Sequence, residues 1–302
     1  MKRKKKIIAD KLFRTLFLSA TLLSASVIVL IILFIVMKGI QPFLPQYEHG
    51  QVSLFSFLFG TTWRQDQHIY GVGYIVINTL LTAFGALLLS FPLSVLTALF
   101  IAKIAPPKLA GFMRSVVELL AGIPSVVYGV FASSVITSMV MQIAQSFGVV
   151  TAGGNSFLTV ILLLAIMIFP TMTSLSITAI QAVDKDVELG SLALGATKTQ
   201  THFKVVLSSA KSGIFAGAIL GLGRAFGEAS AVAMVAGNKT FGPTWNLFDI
   251  TRTLTSTMLT GLKETTGVDY DIRFSVGMVL IIVIFLSNGI LHMVKRRIGK
   301  IK

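Results

Sequence analysis

An arginine and a glutamate lie four residues apart inside an otherwise apolar stretch of the sequence. The stretch runs from Gly213 to Asn238, long enough to span a membrane, and holds Arg224 and Glu228 near its middle. A guanidinium offers paired N–H donors to an oxyanion, and a nearby carboxylate can neutralise it. Charges within a membrane are costly, so they are candidates for function. The alternative is an ion pair between residues i and i+4 that only fixes helix packing.

Glycines accompany this pair on the predicted helix. On a helical wheel, one arc of roughly 80° holds both charges together with small residues, namely Gly213, Gly217, Gly221 and Ala231, and Gly227 lies just beside it. Glycines let another helix approach closely in lipid. We therefore predict that Gly213, Gly217, Gly221 and Gly227 serve helix packing, and that the charged side faces protein or a cavity.

The composition defines the class of protein. The chain has 302 residues, of which 54% are apolar and 13% charged, with a mean hydropathy of +0.83. This indicates an integral membrane protein, and the absence of ten-residue alternating segments favours an all-α helical bundle over a barrel. The net charge of +14 is interpreted through membrane topology and not through nucleic-acid binding. Without cysteines, disulfides and thiolate metal sites are excluded.

Hydropathy predicts about six transmembrane helices. We place them at Leu16–Met37, Tyr74–Ile101, Ser115–Val140, Phe157–Thr178, Gly213–Asn238 and Val276–His292. The first is expected to stay attached, because it is longer than a signal-peptide core and no small-residue cleavage site follows. Pro124 and Pro170 are expected to kink or interrupt their helices. The segment 239–275 is long enough to include a re-entrant piece.

The basic residues predict the orientation. Lysine and arginine favour one side of this topology by about three to one, which places both termini in the cytoplasm of a cell-membrane protein. The chain then divides into residues 1–72 (basic N-terminus, first helix and extracytoplasmic loop), a core at 73–294, and a basic tail at 295–302. Within the core, the cytoplasmic loop 181–212 is the most hydrophilic interior segment.

The loop 181–212, named the coupling loop below, contains helix-compatible residues on both sides of Gly195. A glycine can turn the chain between two short helices, and such a pair on the membrane surface suits docking of a partner. An ordinary solvated loop of this length would be unusual. Gly190 and Gly195 have the spacing of a phosphate-binding loop, but Ala196 and Thr197 follow where lysine and serine or threonine are needed. We therefore expect no ATP binding by this chain.

Catalytic patterns are lacking in the sequence. Its four histidines are scattered, and no paired carboxylates, serine–histidine set or metal-ligand cluster is present, so no catalytic residue, metal or cofactor is predicted. We expect Glu118 to reach the interface or to pair with Arg114. A membrane-embedded enzyme is a remaining alternative. So is an ion-coupled secondary transporter, for which Arg224 and Glu228 would be the only candidate coupling residues.

Several motifs resemble those of ABC importer permeases. The run LALGATKTQTHFKVVL (192–207) is similar to the EAA loop of that superfamily, in which a glycine is followed by an apolar motif. The runs NTLLTAFGALLLSFPLSV (78–95), AGIPSVVYGVF (121–131) and GLGRAFGEASAVAMVAGN (221–238) are similar to phosphate-specific permeases, and more to the PstC-type than to the PstA-type subunit. Two departures are that Glu188 lies seven residues before Gly195 instead of six, and that Ser208 replaces a proline.

The resemblance implies a type I ABC importer permease fold and a role as the membrane half of an ATP-driven phosphate importer. It also implies a second homologous permease, a dimer of cytoplasmic ATP-binding subunits, and an extracytoplasmic phosphate-binding protein. The residues implied in ATPase docking are Glu188, Gly190, Leu194, Gly195 and Ala196. Arg224 would contact the anion, and we hypothesise that Glu228 neutralises Arg224 between transport events. A permease for another oxyanion or small solute is the alternative.

Overall fold

Six helices of membrane-spanning length make up the fold. The computed structural model describes the backbone of residues 2–300 and the side chains of residues 11–297. Within this part, the helices long and apolar enough to cross a membrane are Lys11–Phe43, Gly73–Ile104, Ser125–Ser146, Phe157–Gln181, Lys198–Gly227 and Val268–Arg297. The predicted all-α membrane bundle of six helices is confirmed. Residues 301 and 302 of the predicted basic tail lie outside the described residues.

The first half of the chain contains three of these spans. Its helices are α1 (Lys2–Ile40), α2 (Leu54–Phe59), α3 (Gly73–Leu99), α4 (Pro107–Gly122), α5 (Ser125–Phe131) and α6 (Thr137–Ser146). A short antiparallel hairpin lies between α2 and α3 and consists of β1 (Trp63–Arg64) and β2 (Ile69–Tyr70). The π-helical turns Phe100–Ile104 and Ala132–Ile136 extend α3 and join α5 to α6.

The second half contains the other three spans. Its helices are α7 (Phe157–Gln181), α8 (Lys185–Ala193), α9 (Lys198–Gln200), α10 (Leu207–Gly227), α11 (Ser230–Val235), α12 (Leu254–Leu259) and α13 (Val268–Lys300). A π-helical segment, Thr201–Val206, joins α9 to α10. The fifth span therefore begins at Lys198, well before the predicted start, and the sixth begins at Val268 rather than Val276.

Helix α7 forms the centre of the bundle. It packs most extensively against α3 and α10, and its side chains Met167, Ile168 and Met172 are fully buried. A helix that is apolar on nearly all sides is stable where neighbouring helices or lipid surround it, and at α7 the neighbouring helices do so. By contrast, α1 packs mainly against α13 and leaves the rest of its apolar surface exposed, as expected for a peripheral helix in lipid.

Pro124 separates two helices, as predicted. A proline lacks the N–H that would bond the carbonyl four residues earlier, which here is that of Leu120. The hydroxyl of Tyr128 donates to this carbonyl oxygen at 2.8 Å and replaces the missing bond. The third span begins at Ser125 and not at Ser115, because α4 is a separate helix. At Pro170, where a kink or an interruption was predicted, α7 continues without interruption, and the kink stays a prediction.

The long segment after α11 folds back into the bundle. Its helix α12 is largely buried, with Leu254, Thr255, Ser256 and Thr257 at or below 6% exposure. The backbone N–H of Leu254 donates to the hydroxyl of Thr79 on α3 at 3.0 Å. At the other end, the Arg273 guanidinium donates to the carbonyls of Thr257 and Thr260, which satisfies C-terminal acceptors of α12. This is the place where the sequence allowed a re-entrant piece.

Candidate functional site

Arg224 lies in the last turn of α10 and is bound by a neutral residue of α7. Its Nη1 donates to the hydroxyl oxygen of Thr171 at 3.0 Å. Among the described side chains, no carboxylate lies within ion-pair distance of Arg224. The side chain is half-buried, so the guanidinium is anchored but its charge is not compensated. Such a group can offer its remaining N–H donors to an anion.

Glu228 lies just outside the helix that carries Arg224. Helix α10 ends at Gly227, and Glu228 is extended, with φ −76° and ψ 116°. The predicted continuous helix to Asn238 is therefore wrong, and Glu228 and Ala231 do not share a helical face with Arg224. The described chain also has no ion pair between Arg224 and Glu228. The carboxylate of Glu228 instead accepts from the backbone N–H of Ala231 at 3.0 Å, which caps the start of α11.

The break in the helix explains where the two charges lie. The C-terminal end of a helix carries partial negative charge and favours a cation, while the N-terminal end favours an anion. Arg224 is in the last turn of α10, and Glu228 precedes the first turn of α11. Each charge is therefore placed where a backbone dipole stabilises it. Discontinuous membrane helices of this kind recur at solute sites in transporters.

Two neighbouring elements enclose the break. Helix α5 packs against α11, where a Cβ added to Gly129 would come within 2.9 Å of the Cα of Ala231. Thr255 of α12 donates its hydroxyl to the carbonyl oxygen of Glu228 at 2.7 Å. The side chain of Glu228 is 9% exposed. The break at Glu228 thus lies beside α5, the helix that follows Pro124, and α12 holds the backbone of Glu228 in place.

Three of the predicted packing glycines lie against α7. A Cβ on Gly213 would be 2.5 Å from the Cβ of Ala179, one on Gly217 would be 3.2 Å from Leu175, and one on Gly221 would be 2.7 Å from Met172. Gly227, the fourth, has no atom of the described chain within 4 Å of a Cβ position. The first three therefore permit the close contact of α10 with α7, whereas Gly227 makes no such contact among the described residues.

The coupling loop forms the helix–turn–helix that the sequence predicts. Helix α8 ends next to Gly195, which has φ +87°. The N–H of Gly195 donates to the carbonyl of Leu192 at 3.0 Å. This left-handed glycine is a common helix terminator. Thr197 and Gln200 then form a capping box that starts α9. Across the turn, the hydroxyls of Ser191 and Thr201 lie 3.0 Å apart and join the two helices.

The residues predicted for docking fall into two groups. Leu194 is 91% exposed at the tip of the turn, Gly190 is exposed on α8, and Ala196 is half-buried beside Gly195. Glu188 differs, because its carboxylate forms an ion pair with Lys103 of the second span. The loop therefore presents an apolar tip, while its predicted acidic contact is occupied within the chain.

Comparison with known proteins gives the family. Residues 90–300 match the family described as "Binding-protein-dependent transport system inner membrane component". The chain belongs to this family. The "Probable ABC transporter permease protein YqgH" of Bacillus subtilis is 34% identical over 90% of this chain and 86% of that protein. The "Phosphate transport system permease protein PstC" of Pasteurella multocida is 30% identical over 82% of this chain and 81% of its own.

The solved structures agree on the fold. A chain of a bacterial ABC transporter involved in import of the acidic polysaccharide alginate matches with a TM-score of 0.64 at 20% identity, over 97% of this chain and 99% of that chain. The predicted ABC importer permease fold of type I is confirmed, together with the resemblance to the importer permease family.

In this inner membrane component, three residues contact the predicted site residues without being indicated by the sequence. Thr171 binds Arg224, Thr255 holds the backbone at Glu228, and Lys103 pairs with Glu188. A threonine directly after Pro170 in an apolar helix is a weak signal, since hydroxyls often bond their own helix backbone. Neither Thr255 nor Lys103 has a sequence pattern that indicates its partner, because both contacts join distant segments.

Proposed function

We propose that this chain is a transmembrane permease subunit of an ATP-driven importer that translocates inorganic phosphate across the cell membrane. Family membership and the PstC relative support the transporter class and the solute. The observation that carries the proposal is the uncompensated guanidinium of Arg224 beside a helix break within the membrane. Phosphate is a small oxyanion that accepts several N–H donors, and arginine matches this geometry better than lysine does.

The partners follow from the same proposal. The chain pairs with a second homologous permease, and phosphate arrives from an extracytoplasmic binding protein. A dimer of ATP-binding subunits docks on the coupling loop, whose exposed Leu194 suits an apolar cleft. ATP hydrolysis takes place in those subunits. Both termini lie in the cytoplasm, which agrees with the distribution of lysine and arginine.

Within the site, Arg224 binds the anion and Glu228 limits its affinity. A transport site must hold its ion weakly enough to release it. The Glu228 carboxylate lies four residues beyond Arg224 in sequence, past the end of α10, and accepts from the N–H of Ala231. Its negative charge therefore opposes tight anion binding without a direct ion pair. In other stages of transport, Glu228 approaches Arg224 and neutralises it.

Uptake of labelled phosphate into proteoliposomes tests the function. The chain is reconstituted alone and then with its candidate partner permease and ATPase, with ATP on the ATPase side and binding protein on the other. We expect uptake only in the complete, ATP-fed system. Gradient-driven uptake by the chain alone would make it a secondary carrier. Competition by arsenate but not by sulfate distinguishes a phosphate permease from one for another oxyanion.

Variants of the charged pair test the site. Arg224→Lys keeps the charge but loses the paired donors, so we expect impaired uptake with normal assembly of the complex. Glu228→Gln removes the charge that opposes anion binding, so we expect the affinity for phosphate to rise and transport to change. Unchanged transport in Arg224→Lys would return this residue to a structural role, and unchanged transport in Glu228→Gln would refute the moderating role.

A further inference from the structure

A polar face on α7 leads away from Arg224 toward the coupling loop. Thr171, Ser174, Thr178 and Gln181 lie within about 80° of one another on a helical wheel. They extend over about 15 Å, which is half of the roughly 30 Å hydrocarbon thickness of a bilayer. Ser174 is half-buried, and Thr178 and Gln181 are exposed. Exposed polar side chains on a spanning helix need water or protein beside them.

A second arginine binds the far end of this face. Nη2 of Arg114, on α4, donates to Oε1 of Gln181 at 2.9 Å. This repeats the arrangement at the near end, where Arg224 donates to Thr171. In both cases a single N–H of the guanidinium binds a neutral side chain of α7, and no described carboxylate lies within ion-pair distance. The other N–H donors of each arginine remain for a ligand.

A cavity lies between α4 and α7 at this second arginine. Its volume is about 90 Å³, and its lining includes Arg114, Glu118, Ser174, Thr178 and Gln181. The predicted ion pair between Arg114 and Glu118 is absent from the described contacts, so the cavity holds a cation and a separate carboxylate. An arginine and a glutamate four residues apart thus occur at both ends of the polar face.

We infer that Arg114 is a second oxyanion-binding residue, which receives the anion released by Arg224 on its way to the cytoplasm. This inference rests on the proposed function. Hydroxyl and amide groups between the two arginines replace part of the water that hydrates the ion. Glu118 has the same effect at Arg114 as Glu228 has at Arg224, because its charge prevents tight retention of the anion.

Cysteine labelling tests this path directly, because the chain has no cysteine of its own. Ser174→Cys places a thiol of similar size between the two arginines. The assembled complex is treated from the ATPase side with a hydrophilic thiol reagent, with and without inorganic phosphate. We expect modification that phosphate slows and an equal concentration of chloride does not. Ile166→Cys, an exposed position of α7 outside the polar face, should not react.

A second arm assigns the protection to Arg114. In the Ser174→Cys background, Arg114→Gln should raise the phosphate concentration for half-maximal protection about tenfold, the effect of losing one charged hydrogen bond. Arg114→Lys should keep most of the protection. Protection unchanged in Arg114→Gln would overturn the role of this arginine. A thiol at Ser174 that stays unreactive would show that the face packs against another subunit. Labelling that phosphate leaves unchanged would show that the anion does not pass this position, and either result would overturn the path.

The two proposals fail in different ways. Phosphate uptake is measured in the same vesicles with the unsubstituted chain. ATP-driven uptake without protection at Ser174→Cys refutes the path at Arg114 and leaves the proposed function intact. Absent phosphate uptake refutes the proposed function. Sulfate protection of the same thiol, with no protection by phosphate and no phosphate uptake, would refute both assignments to phosphate.

Discussion

The ammonium group of Lys103 and the carboxylate of Glu188 form an ion pair that joins the second span to the coupling loop. Lys103 lies in the π-helical turn Phe100–Ile104, and Glu188 lies in α8. The two side chains are only 15% and 18% exposed, so solvent and salt screen them less than a surface pair. The ion pair therefore fixes the position of α8 relative to the end of α3.

Reversal of one charge in this pair should uncouple transport from ATP hydrolysis. We expect Glu188→Lys to destabilise the position of α8 by about 1 to 3 kcal/mol, between the values for exposed and fully buried pairs. ATP-driven uptake should fall while the complex still assembles. The double variant Lys103→Glu with Glu188→Lys restores opposite charges and should recover most of the uptake.

The control for this charge swap is Lys108→Glu, which changes the charge of an exposed lysine nearby and should leave uptake nearly unaltered. If the double variant is as impaired as Glu188→Lys alone, then Glu188 acts through another subunit, as in the docking role that the sequence suggested.

The glycines of α10 should respond oppositely to the same substitution. In Gly213→Ala the new Cβ would meet the Cβ of Ala179 at 2.5 Å, and separation of α10 from α7 should cost about 1 to 3 kcal/mol. In Gly223→Ala no described atom lies within 4 Å of the new Cβ. The better helix propensity of alanine should therefore raise the free energy of unfolding by up to about 1 kcal/mol. Thermal unfolding of the purified chain in detergent measures both, and equal shifts would contradict the packing role of Gly213.

The number of spans was predictable from the sequence because it depends on local hydropathy. The turn at Gly195 was predictable because glycine tolerates a left-handed backbone. The boundary at Gly227 was not predictable in this way. Small apolar residues continue the membrane-like pattern to Asn238, although α10 ends at Gly227, and the contacts at the break come from outside that helix. The Glu228 carboxylate binds the N–H of Ala231, and Thr255 binds the Glu228 carbonyl from a distant segment.

The same limit applies to the partners of the candidate site. Arg224 could be identified from the sequence, because a charged side chain inside a membrane is energetically unfavourable and therefore indicates a function. Its partner Thr171 is more than fifty positions away, and only the packing of α10 on α7 brings them together. Similarly, the i,i+4 spacing of Arg114 and Glu118 suggested a local ion pair. The structure instead gives Arg114 the amide of Gln181 on α7, because packing between helices sets the side-chain direction.

The left-handed backbone of Gly195 should make this position sensitive to any side chain. Its φ of +87° is strained for L-residues, so we expect Gly195→Ala to disturb the turn at a cost of about 1 to 2 kcal/mol. Binding of the ATPase subunits should weaken, as measured by co-purification at graded salt. Gly289→Ala is the matched control, because Gly289 lies within α13, outside the coupling loop, and a Cβ there meets no described atom within 4 Å. Equal weakening in both variants would show that the effect does not depend on the turn at Gly195.

A hydrogen bond between Tyr70 and Asp269 should stabilise the end of the bundle opposite the coupling loop. The hydroxyl of Tyr70 donates to Oδ1 of Asp269 at 2.6 Å. Tyr70→Phe removes a bond to a charged acceptor, so we expect a loss of about 1.5 to 3 kcal/mol in the free energy of unfolding at neutral pH. In Tyr270→Phe the hydroxyl lost has no hydrogen-bond partner among the described residues, and thermal unfolding should be nearly unchanged.

The same bond predicts a pH dependence with a definite sign. Burial, followed by the hydrogen bond to Asp269, raises the pKa of Tyr70 above its ordinary value. The folded chain then holds the phenolic proton more tightly than the unfolded chain does, so this contribution is complete below pH about 10 and falls as the pH rises further. Thermal unfolding of the unsubstituted chain should therefore decline above this pH more steeply than that of Tyr70→Phe. If the thermal stability of both proteins declines in parallel above this pH, the Tyr70 phenol loses its proton equally readily in the folded and the unfolded chain, which would contradict the prediction.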